Sequence, residues 1–85
     1  MAQGIGPVRS ASEVLSVWEH VTDGETLQSA SLRTAVFLSK VHDVPPDVME
    51  ALDSLVTGFC ASGAAIHAVV RHLRDLERIE RMTGP

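Results

Sequence analysis

Between Asp53 and Arg71 this chain carries seventeen consecutive residues without a charge, from Ser54 to Val70. They sit inside a longer apolar pattern of helical period, so the stretch reads as a helix with small or apolar side chains all round. Such a helix must be covered on every side, by a core, a partner or lipid. A chain of 85 residues is near the lower size at which a domain stabilises itself through its own core. The uncharged run therefore bears more on association than on chemistry.

The pattern that contains it runs through Val48, Leu52, Leu55, Phe59, Ser62, Ile66, Val69, Leu73 and Leu76 in steps of four and three. Met49, Val56, Gly63 and Val70 widen the stripe. The spacing predicts one long helix over about 47–82, with a possible kink near Gly58–Gly63, where each glycine costs about 1 kcal/mol relative to alanine. Two shorter helices precede it. Ser10 and Glu13 have capping-box spacing, and Val14, Leu15, Trp18 and Val21 then share a face up to Thr22-Asp23-Gly24, which gives a helix over about 11–21. Asp23 or Thr26 caps the next, over about 27–42, which Pro45-Pro46 ends by pushing Val44 and Pro45 out of helical geometry. No strand-like alternation and no repeat occurs. The expected class is all-α, three helices in a single domain over 10–82, with a flexible tail at 1–9 and a short one at 83–85.

Length then points to a second chain. A continuous helix over 47–82 would be about 54 Å long, whereas a compact monomer of this size has a radius of gyration near 12 Å. Either the helix breaks near Gly58 to Gly63 or it projects and finds a second chain. Thr57, Cys60, Ala61, Ala64, Ala65 and Ala68, which leave its outer side uncharged as well, favour the second. Symmetric self-association covers such a face at low cost. The expected packing is a helical oligomer, a dimer by preference, with Leu52, Leu55, Phe59, Ser62, Gly63, Ile66, Val69, Val70 and Leu73 at the interface.

Composition and charge narrow the function classes. An apolar share of 45% with 21% charged residues suits a folded chain rather than a disordered one. Cys60 is alone, so no internal disulfide framework exists, which favours a reducing compartment. The first dozen residues lack the apolar core of a signal peptide; the expectation is a cytoplasmic protein. Arginine in place of lysine, with Asn and Tyr absent, suits a GC-rich bacterial or phage genome. The net charge is −4, with eight acids against Arg9, Arg33 and Lys40 in residues 1–53. That acidic half argues against sequence-independent nucleic-acid binding, which needs a dense cationic face. A helix-turn-helix over 27–57 fails similarly, since it would bring Asp47, Glu50 and Asp53 to the DNA. Seventeen uncharged residues fall short of the roughly 20 that span a membrane, and Ser54, Thr57, Ser62 and His67 interrupt them.

Few residues carry candidate chemistry. Cys60 and His67 lie about 10 Å apart along a helix and cannot share a metal ion within it. An apolar setting raises a thiol pKa, which disfavours Cys60 as a nucleophile. With no Gly-rich phosphate loop, paired acids or nucleophile elbow, no catalytic residue, metal or cofactor is expected. The partner-binding candidates are Trp18, since tryptophan anchors interfaces, and Arg71, Arg74, Arg78 and Arg81, which step along one face. Local pairs of Arg71 with Asp75, Arg74 with Glu77 and Glu77 with Arg81 would neutralise much of that ridge. The expected function is therefore a non-enzymatic, regulatory helical protein that self-associates and binds a protein partner as adaptor, assembly factor or inhibitor. A small DNA-binding regulator using the arginine ridge of a dimer is the alternative.

Overall fold

The computed structural model describes residues 10–58 and 62–83, and these form four α-helices with no strand. They are α1 (Ala11–Trp18), α2 (Gly24–Leu38), α3 (Pro46–Thr57) and α4 (Gly63–Thr83). Phe59, Cys60, Ala61, the tail expected at 1–9 and residues 84–85 lie outside the described residues, while Thr83, expected in the C-terminal tail, is the last residue of α4.

Each boundary has a local cause. Ser10 accepts the Glu13 amide and starts α1, while the first amide of the helix, on Ala11, donates at 2.9 Å to the Glu80 carboxylate from α4. The helix stops at Trp18 rather than Val21 because the chain tightens: the His20 and Val21 amides bond three residues back, to Val17 and Trp18. Asp23 is the cap of α2, in a reciprocal box with Thr26. The helix accordingly begins at Gly24, earlier than 27, and its regular part ends at Leu38, with Lys40 and Val41 in i→i−3 turns. The Thr26 amide and hydroxyl hold the Asp23 carboxyl below its ordinary value.

The single long helix over 47–82 is not present. Gly58 adopts φ +77°, ψ +8° and caps α3 in the left-handed conformation, a geometry that glycine reaches without a Cβ penalty. The Ser62 hydroxyl then accepts the Ala65 amide at 3.1 Å, as an N-cap does, and α4 begins. The 54 Å rod becomes helices of about 18 and 32 Å that pack on each other. The radius of gyration is 12.6 Å, that of a compact monomer.

Around the bundle α1 packs on α2 and α4, and α3 packs on α2 and α4, so that α1 lies diagonally across from α3 and α2 from α4. Val14, Phe37, Leu38, Val48, Leu52, Leu55, Val69 and Leu73 fill the centre. Leu52, Leu55, Val69 and Leu73, expected at an interface between chains, are thus covered by helices of their own chain. The break at Gly58 removes the length argument that sent them outward. Thr34 and Ser31 are fully buried, and their hydroxyls donate to the Ala30 and Leu27 carbonyls. Thr34 also accepts the Trp18 indole N–H at 2.9 Å, which ties α1 to α2.

Candidate functional site

An open groove of about 720 Å³ lies between α1 and α4. Its position follows from the antiparallel pairing of these helices, fixed where Glu80 meets Ala11. Core residues Val14, Val69 and Leu73 occupy the inner faces, and the next residues round each helix become the groove walls.

The two ends of the groove differ in chemistry. At one end α1 contributes Leu15 and Trp18, the turn after it Val21, and α4 Ile66 and Val70; all five are half-buried. At the other end α4 presents Arg74, Arg78 and Arg81 beside Ser12 and Ser16 of α1. Glu77 of α4 and Glu19, which follows Trp18, also line the groove, so the groove as a whole holds three cations and two anions. Arg81 reaches Glu77 at 3.6 Å, as its spacing implies, but Asp75 pairs at 3.8 Å with Arg78 rather than Arg71. These ion pairs are long and exposed, worth a few tenths of a kcal/mol each. Among the described residues Arg74 and Arg71 have no carboxylate partner within 4.0 Å.

The structure therefore brings Trp18 together with Arg74, Arg78 and Arg81, which the sequence suggests separately. Arg71 is exposed and does not line the groove. Of the expected interface residues, Ile66 and Val70 stay accessible in the groove, Ser62 is half-buried as a helix cap, and Gly63 is exposed with open space around it. Phe59 lies outside the described residues. The missed partners of the site are Ser12 and Ser16, small polar residues with no chemical signal of their own; only the antiparallel packing of α1 on α4 places them there.

Two histidines differ in setting. His67 is exposed. His72 buries its Nε2 with no hydrogen-bond partner among the described residues. No group of three or more His, Cys, Asp or Glu there converges as a metal site, and Cys60 falls outside them. A second hollow of about 320 Å³ lies between α1 and α2, beside His20 and Arg33; the His20 Nδ1 is engaged by the Ser16 carbonyl at 2.9 Å. No helix among the described residues is long and apolar enough to cross a membrane. The chain matches no protein-family model, and neither the curated proteins nor the solved structures contain a significant match to it.

Proposed function

We propose that this chain is a small, non-enzymatic helical module that meets other protein chains through the α1–α4 groove, as an adaptor, assembly factor or inhibitor. The observation that carries this reading is the meeting of Trp18 with Arg74, Arg78 and Arg81 along one groove with an apolar floor. Half-buried apolar side chains give a helix something to bury, and tryptophan and arginine are the residue types that dominate binding hot spots. Rim arginines add orientation and association rate more than affinity. The floor also favours protein over DNA, because phosphates gain nothing from Leu15, Ile66 or Val70.

Site-specific photo-crosslinking in the producing cells tests it. A crosslinking residue at Ser16, exposed in the groove, is compared with one at Asp53, exposed on α3. Adducts to protein at Ser16, weak at Asp53 and lost in a folded Val70→Asp variant, are expected. Equal yields at both positions, or none at Ser16, would overturn the proposal.

A further inference from the structure

We infer that the groove accepts helix α2 of a second copy of this chain, lying antiparallel to α4; the inference rests on the groove being a docking site. The groove asks for a helix that is acidic at its N-terminal end and apolar further along. Its arginine end lies at the C-terminus of α4, and carboxylates are most favourable in the first turn of a helix. From Ile66 to Arg81 it is about 22 Å long, the length of a helix of about 15 residues. Helix α2 has 15 residues. It starts with Asp23 and Glu25, both exposed, and its outer face carries Leu32 and Val36 at 49% and 53% exposure. At 3.6 residues per turn Glu25, Leu32 and Val36 fall within about 40° of one another, so one face holds all three.

The spacings correspond. Leu32 and Val36 lie about 10 and 16 Å beyond Glu25 along α2, and Val70 and Ile66 lie about 12 and 18 Å before Arg78 along α4. With α2 antiparallel to α4, Asp23 and Glu25 meet Arg78 and Arg81 while Leu32 and Val36 reach Trp18, Ile66 and Val70. The intrachain pairs of Arg78 and Arg81 are long and leave those side chains 74% and 76% exposed, so an incoming carboxylate displaces little. Helix α3 is a poorer occupant. Its acids Asp47, Glu50 and Asp53 are exposed, but Val48, Leu52 and Leu55 are buried in its own core and only Met49 stands out.

Light scattering on the purified full chain, from micromolar to about 1 mM, measures the molar mass of wild type, Glu25→Arg, Arg78→Glu/Arg81→Glu, and the three changes combined. All three positions are exposed, and circular dichroism checks that each variant folds. The expected result is a wild-type mass that rises with concentration above 9.1 kDa, less association after either reversal, and recovery in the combined variant. A wild type that stays at 9.1 kDa throughout, or an assembly that ignores both reversals, overturns the inference. The groove itself is judged separately by crosslinking at Ser16: an adduct to a different protein leaves the docking reading standing, and absence of any adduct removes both.

Discussion

Replacing Gly58 with alanine separates two accounts of the uncharged run by the sign of a stability change. If the run were one continuous helix, Gly58 would be a mid-helix glycine and alanine would stabilise it by about 1 kcal/mol. In the structure Gly58 has φ +77°, and nothing lies within 4 Å of the position a Cβ would take. The substitution therefore meets no steric neighbour, and its cost is that of holding an L-residue in the left-handed region, about 1–2 kcal/mol. Urea unfolding followed by circular dichroism reads this directly. With an m-value of about 1 kcal/mol/M for a small domain, the midpoint should fall by about 1 M or more. Gly63→Ala is the matched control. Gly63 opens α4 with an equally open surrounding but without positive φ, so alanine there should raise the midpoint slightly, by less than the full glycine penalty. A rise in midpoint for Gly58→Ala would refute the break and restore the long helix.

Three further outcomes follow from the packing. Leu73 is fully buried at the centre of the bundle, so Leu73→Ala should cost about 2–5 kcal/mol, seen as a large fall in urea midpoint. The His72 Nε2 is buried without a partner, and an unsatisfied buried polar atom costs about 1–3 kcal/mol; His72→Leu should therefore raise the thermal midpoint, and a fall would show that the ring nitrogen is satisfied in solution. The Asp23 carboxyl is held below its ordinary 3.8 by Thr26, so its stabilising contribution is present above that pH and lost as pH falls through the depressed value. The stability gap between wild type and Asp23→Asn should accordingly be widest above about pH 4 and shrink in stronger acid; a gap that stays constant with pH would contradict this.

Much of the core was legible because helical period is a robust signal. Val14 on α1 and Val48, Leu52, Leu55, Val69 and Leu73 along the C-terminal half are all buried, as a stripe of helical period implies. The period does not say what covers a stripe, however: Leu52, Leu55, Val69 and Leu73 were expected between chains and are covered by their own. The cap of α2 was readable as Asp23 or Thr26, short side chains that reach the backbone beside them, and Asp23 fills the role. The Pro45-Pro46 corner opens α3, but α2 already ends at Leu38. What escaped the periodicity was the turn between α3 and α4. The residues on either side keep nearly the same phase, so the stripe passes across the break as if the helix continued. Gly58 and Gly63 mark where the helix would kink or break, but at about 1 kcal/mol each against alanine they do not outweigh a continuous stripe. The decisive cue is the pairing of Gly58 as a C-terminal cap with Ser62 as an N-terminal one.

For the site, residue types were readable but their meeting was not. Trp18 and the α4 arginines are separated by more than fifty residues, and they come together only because α4 folds back along α1. That return depends on the turn the periodicity concealed. The Glu80 contact to the Ala11 amide and the Thr34 contact to the Trp18 indole set the orientation of both groove walls, and neither has a sequence signature. The uncharged run consequently divides its roles: Leu55 and Val69 complete a core within one chain, and Ile66 and Val70 are left facing the groove.

Trp18 is the only tryptophan in the chain, so one indole N–H resonance reports on the groove. Following that resonance in ¹⁵N-correlated spectra as protein concentration rises, alongside the backbone amides of Glu50 and Asp53 on the far helix α3, tests the association account most directly. The account predicts that the indole resonance shifts with concentration together with the amides of Val70 and Arg78, while Glu50 and Asp53 stay in place. An indole resonance that remains fixed while molar mass rises would place association elsewhere and contradict it.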